Sequence, residues 1–127
     1  GEDCVFEEEE IKNIEYTTDG PRQRSYAFCA DTQYDENIVK YISKTDLIYH
    51  ESTFLESMKN RAKTTFHSTA LDAAKIAKLA NVGQLLIGHF SARYNEIKDF
   101  EIEAKSIFLD TTAVNDGDVF NLENMRR

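Results

Sequence analysis

Residues 70–91 read ALDAAKIAKLANVGQLLIGHFS, and this stretch decides the fold. Ala70, Ala73, Ala74, Ala77 and Ala80 recur at helical spacing, joined by Ile76, so one side of a helix over residues 70–79 is small and apolar. Asp72, Lys75 and Lys78 are expected to face outward. Asn81 to Gly83 then supplies residues that tolerate left-handed backbone, as a helix stop requires. Gln84 to Gly88 follows as a short apolar run of strand length, closed by His89. A helix running directly into a buried-type strand is the repeating unit of an α/β layer.

The same alternation continues outward. Upstream, Ser25 to Ala30 (SYAFCA) and Asp46 to Glu51 (DLIYHE) read as strands, with a short helix over Glu36 to Ser43 between them and another over Phe54 to Ala62. Downstream, Phe100 to Leu109 suggests a helix, and Thr112 to Val114 and Val119 to Leu122 look like closing strands around Asp116-Gly117. Near the front, Ile11, Ile14 and Tyr16 fit a short strand before the turn-forming Asp19-Gly20-Pro21. The sequence predicts an α/β fold.

Composition bounds the function. The 127 residues suffice for one core, and 41% hydrophobic with 30% charged residues describes a globular segment. No run approaches the roughly 20 apolar residues of a membrane span, and no secretory signal stands at the front. Gly1 in place of Met suggests a processed or excised start, with the natural start expected upstream. Cys4 and Cys29 show neither metal-ligand spacing nor a disulfide framework, so a reducing cytoplasm is the default setting. The net charge of −8, with Glu7 to Glu10 as the longest charge run, argues against a broad nucleic-acid docking surface on this chain. A nucleic-acid substrate would need bound cations, or basic contacts from another segment.

Three strands each end in a polar residue with chemical potential: Asp31, His50-Glu51 and His89. In α/β sheets ligands gather beyond the carboxyl ends of strands. Asp31 could bridge two cations through its two oxygens, although an Asx-type turn is the commoner outcome on local sequence. His89 is a candidate zinc ligand or a structural histidine, with Ser91 and Arg93 placed to meet phosphate oxygens. His67, oriented by Glu51, could donate a proton to a leaving oxygen, while Ser68 or Thr69 caps the following helix. His50 falls on the opposite face from Glu51 and reads as a packing residue. Three histidines, with no His-x-His pair, cannot complete a two-metal centre by themselves.

Four strings in this order, YAFCADT, HESTF, FHSTA and LLIGHFSARY, closely resemble the C-terminal half of ribonuclease Z, the metallo-β-lactamase-fold endonuclease family that trims precursor tRNA at its 3′ end. The resemblance runs from about Ile14 to Leu122. It implies half of an αββα sandwich, a mixed sheet with helices on one face. It divides the chain into residues 1–13, an acidic lead-in with a cloning or processing scar, and residues 14–127, the half-domain. By resemblance, Asp31 matches the carboxylate bridging two zinc ions and His89 the last histidine ligand. His67 matches the histidine that assists phosphate binding and proton donation, and Glu51 its acidic partner. Ser91 and Arg93 match the segment near the substrate phosphate. The family's usual glycine before the aspartate is Ala30 here, which requires a backbone without positive φ at that position, or mild strain. Its His-x-His-x-Asp-His motif and its tRNA-binding arm have no counterpart in these residues. The resemblance therefore implies a zinc-dependent endoribonuclease with two ions in the complete protein, precursor tRNA as substrate, a homodimeric and cytoplasmic state, and no activity in this piece alone, whose own zinc occupancy the sequence leaves open. Another hydrolase of the same fold, or a non-catalytic domain that dimerises through an exposed face, remain as alternatives.

Overall fold

The computed structural model describes residues 2–7 and 9–122. Gly1, Glu8 of the acidic run, and residues 123–127 of the expected half-domain lie outside the described residues. Four strands form a parallel sheet in chain order: β3 (Tyr26–Cys29), β4 (Leu47–Glu51), β5 (Gln84–Gly88) and β6 (Thr111–Ala113). A separate antiparallel hairpin pairs β1 (Cys4–Phe6) with β2 (Glu9–Ile11). The expected mixed sheet thus resolves into a parallel sheet and a detached hairpin. Helices α2 (Val39–Ile42), α4 (Ala70–Ala80) and α5 (Lys98–Lys105) connect the parallel strands. The remaining helices are α1 (Asn13–Tyr16) and α3 (Lys59–Thr64).

The alanine stripe of α4 is fully buried, and its small side chains let the helix lie close against Ile48, Leu85 and Ile87 of the sheet. Ile42 of α2 and Phe100 and Ala104 of α5 join the same cluster, so these three helices share one sheet face. Thr69 caps α4 in a reciprocal arrangement, its hydroxyl accepting from the Asp72 N–H and Asp72 accepting from the Thr69 N–H. That contact corrects the reading of Asp72 as outward-facing: it is 6% exposed, turned back onto the helix start. Asn81, at φ 50°, ends the helix as its sequence predicts.

On the other sheet face Tyr26, Leu47, Tyr49, Leu86 and Val114 line an apolar groove with Phe120 and Leu122. Leu47 to Tyr49 of β4 and Leu85 to Ile87 of β5 place apolar groups on both faces, as strands of a parallel sheet require. Phe28 stacks on Tyr49 with ring centroids 4.7 Å apart. Gly88 is needed beneath that pair, because a Cβ there would stand 2.6 Å from the Tyr49 hydroxyl.

Several boundaries differ from expectation, α5 among them, which spans Lys98–Lys105 where Phe100 to Leu109 was expected. Residues 13–16 form a helical turn, not the continuation of a strand from Ile11. The Asp19-Gly20-Pro21 segment runs without a regular turn. Phe54 makes a bridge to Thr69 instead of starting a helix, which begins after it with a 3-10 turn at Glu56–Met58. Val119 to Leu122 is not a strand: Val119 is 92% exposed, while Phe120 and Leu122 reach the groove without pairing to the sheet.

Candidate metal and acid–base site

The parallel register sets Cys29 beside His50 and Glu51 beside Gly88, so the segments leaving β3, β4 and β5 emerge together. Asp31, Glu51 and His89 are carried to one place by those ends. His67 arrives from the loop before α4, held by its N–H to the Ala62 carbonyl and by the Phe54–Thr69 bridge. Ligand atoms of these four side chains all lie within 4.8 Å of one another, a group that could hold a metal ion.

Glu51 is fully buried, and its carboxylate is saturated. Oε1 accepts from the Thr32 N–H at 3.1 Å and from His67 Nδ1 at 2.7 Å. Oε2 accepts from the Thr53 N–H, the Thr53 hydroxyl and the Ser68 N–H at 3.1, 2.7 and 3.2 Å. Five donors compensate the burial of one negative charge and leave Glu51 little capacity for a cation. The shortest contact holding the His67 ring is its Nδ1 on Glu51 Oε1.

The Thr53 hydroxyl has one proton, and Glu51 takes it. Its oxygen, 2.9 Å from His89 Nδ1, therefore accepts the Nδ1 proton of that ring. His89 Nε2 then keeps its lone pair, 3.4 Å from Asp31 Oδ1. Two ligands bound at about 2.05 Å to one tetrahedral ion stand about 3.3 Å apart, so this pair fits two corners of a zinc site. Asp31 and His89 are 76% and 47% exposed at their side chains, with acceptor atoms open to a ligand.

Both residues hold a left-handed backbone, at φ 47° for Asp31 and 62° for His89. Such conformations cost an L-residue roughly 1–3 kcal/mol and gather at functional sites. Ala30 is outside the positive-φ region, as the missing glycine demanded; the bend falls on Asp31 instead. Among the described residues no backbone N–H bonds to the Asp31 carboxylate, which removes the Asx-turn reading.

His50 is buried behind the site, with Nδ1 2.8 Å from the Glu51 carbonyl oxygen. Burial pushes its pKa down, against the opposing pull of Glu51, and a packing role agrees with this. Ser91 and Arg93 lie outside the four-residue group. The Ser91 N–H bonds to the Thr53 carbonyl, Arg93 Nε donates to Ser91 Oγ at 3.2 Å, and the guanidinium lies over the Phe54 ring. Phe90 and Tyr94 pack on Phe100, fixing the loop after His89. The sequence reading missed Thr53, Thr32 and Ser68. Thr53 alone carried a signal, a hydroxyl two residues after Glu51 in an extended segment.

No family model matches the chain. It is 48% identical over 106 residues to Ribonuclease Z of Porphyromonas gingivalis, an alignment covering 84% of this chain and 35% of that protein. Among solved structures, human tRNase Z, short form, aligns with a TM-score of 0.53 and 31% identity over 66% of this chain and 27% of its own. The metallo-β-lactamase fold protein YhfI from Bacillus subtilis aligns with a TM-score of 0.64 and 25% identity over 69% and 35%. The chain spans about a third of the length of the curated relatives it matches.

Proposed function

Because this chain belongs to the ribonuclease Z family, we propose that it carries one side of the active site of a zinc-dependent endoribonuclease that removes the 3′ trailer from precursor tRNA. The observation that carries the proposal is the pairing of Asp31 Oδ1 with His89 Nε2, 3.4 Å apart, beside a His67 ring held by a buried carboxylate. Asp31 and His89 would hold the metal. The ion would supply Lewis-acid polarisation of the phosphodiester and activation of water.

The chain's own residues divide the remaining work. Glu51 fixes His67 through Nδ1, so Nε2 is the atom that can pass a proton to the departing 3′ oxygen. Water adds to phosphorus, the P–O3′ bond breaks, and the products are a 3′-hydroxyl and a 5′-phosphate. The Glu51 carboxylate balances the doubly protonated ring before transfer and retains its orientation afterwards. Ser91 positions Arg93, whose remaining N–H donors can fork onto a phosphate oxygen.

Four ligand atoms, one of them on a saturated carboxylate, are too few for two ions. The proposal therefore assigns the other ligands to residues outside these 127, and residues 14–127 to one half of the catalytic domain. A homodimer in the cytoplasm belongs to the same reading. The exposed Tyr26 and Phe28 support the dimer, and among the described residues no helix is long and apolar enough to cross a membrane.

The test is cleavage of precursor tRNA by zinc-loaded enzyme containing this chain, with a generic phosphodiester as the control. Asp31→Ala abolishes turnover, while Cys29→Ala, at a half-buried residue packed against the core and outside the ligand group, retains most of it. The 127-residue chain alone leaves precursor tRNA intact. Near-normal rates in Asp31→Ala would overturn the metal assignment, and robust zinc-dependent cleavage by the chain alone would overturn the count of ligands.

A further inference from the structure

A second feature adjoins His67. Tyr34, Lys59, Lys63, Asp72 and Lys75 line a cleft of about 430 Å³ whose rim includes the His67 ring. Glu56 and Glu36 lie beside the cleft, bonded to Lys59 and to the Tyr34 hydroxyl, while the lining itself sets three lysines against one carboxylate, Asp72. That carboxylate is already engaged, because Asp72 caps α4. Lys59 and Lys63 stand four residues apart on one side of α3, and Lys75 reaches in from α4. Glu56 holds Lys59 at 2.8 Å, fixing it at the wall with further N–H donors to spare. Among the described residues Lys63 has no carboxylate partner.

The location gives the cleft a direction. In an in-line displacement the entering and leaving oxygens lie on opposite sides of phosphorus. The Asp31–His89 pair marks one side. His67, its ring centroid 5.3 Å from that of His89, is assigned the other by its role as proton donor. The oxygen leaving toward His67 is the 3′ oxygen of the nucleotide before the cut, so the chain attached to it continues past His67 into the lysines. We propose that this cleft binds the ribose-phosphate backbone of the RNA strand on the 5′ side of the cleaved bond. Lys59, Lys63 and Lys75 pair with its phosphates, and Tyr34 offers a ring for a base or ribose. The direction of the strand rests on the endoribonuclease reading above; the affinity of the cleft for an RNA backbone does not.

Two measurements separate these. First, the 15N-labelled chain is titrated with a uridine hexamer and followed by NMR. Amide shifts are expected at Gln33–Tyr34, along α3 and at the start of α4. The triple variant Lys59→Gln, Lys63→Gln, Lys75→Gln, with an otherwise unchanged spectrum, binds at least tenfold more weakly. Its log–log salt dependence is shallower by about 2, from about 0.7 for each lost phosphate contact. Binding elsewhere, no binding at millimolar hexamer, or an unchanged salt slope overturns the cleft. Second, substrates with a neutral methylphosphonate one or two positions 5′ or 3′ of the cut are compared in the cleavage assay. The 5′ substitution lowers kcat/KM several-fold in wild type and little further in the triple variant, while the 3′ substitution affects both alike. A penalty confined to the 3′ side, or equal 5′ penalties in both proteins, overturns the direction. Absence of cleavage by the complete, zinc-loaded wild-type enzyme refutes the endoribonuclease reading, and with it the direction, and leaves the hexamer titration to decide the cleft.

Discussion

Replacing Glu51 with glutamine probes the site through its least accessible member. The substitution preserves shape but converts one acceptor oxygen into a donor group. If the amide nitrogen takes the Oε2 position, it opposes two backbone N–H groups, those of Thr53 and Ser68. At the Oε1 position it opposes only the Thr32 N–H, because His67 Nδ1 can accept once its proton moves to Nε2. The second arrangement wins. One buried N–H is then stranded at about 1–3 kcal/mol, and the surviving bonds lose their charge assistance. A total near 3 kcal/mol, with a urea dependence of about 2 kcal/mol per molar, moves the unfolding midpoint down by about 1.5 M. The assay pairs urea unfolding with long-range 1H–15N spectra of the His67 ring at a pH where it is neutral. The expected result is a lowered midpoint together with transfer of the ring proton from Nδ1 to Nε2. A midpoint within about 0.3 M of wild type, with the proton still on Nδ1, refutes the account of Glu51 as the buried anchor of His67.

Two further perturbations test the site and the start of β4. Thr53→Val keeps the side-chain shape but removes the hydroxyl between Glu51 and His89, so zinc affinity measured by calorimetry falls roughly 10–100-fold as His89 loses its orienting partner; unchanged affinity contradicts the relay. Asp46 receives Arg22 and both donors of Ser25, which hold its carboxyl well below the usual carboxylate range. A depressed folded-state pKa stabilises the fold above the unfolded value near 3.9 and is lost as pH falls through the folded value. Asp46→Asn therefore lowers the urea midpoint at pH 7, and its difference from wild type shrinks steadily below about pH 4; a difference independent of pH sinks the assignment.

Much of the fold is legible because local and tertiary demands agree. The alanines of α4 repeat at helical spacing and meet a sheet that accepts only small side chains, so period and packing point the same way. Gln84 to Gly88 is read to the residue, because Leu85 to Ile87, buried on both faces, form an unbroken apolar run. Where two demands compete, sequence periodicity misleads. Asp72 sits on the outward side by period, yet the unpaired N–H groups at the helix start draw it back. Val119 to Leu122 alternates like a strand, but Phe120 and Leu122 cover the groove while Val119 projects away.

The site divides the same way. Asp31, His67 and His89 were visible as polar residues ending apolar runs or preceding a helix. The donors around Glu51 were not, because Thr32, Thr53 and Ser68 come from three separate segments and only the folded register unites them. The left-handed bends at Asp31 and His89 also escape the sequence, since neither position carries glycine.

Crystals of the chain soaked with zinc, with anomalous scattering recorded at the zinc edge, address the central pairing of Asp31 with His89. The predicted result is a peak about 2.0–2.2 Å from both Asp31 Oδ1 and His89 Nε2, with Glu51 still bonded to His67. A peak ligated by Glu51 or His67 in place of that pair, or no peak beside Asp31 and His89 at saturating zinc, contradicts it.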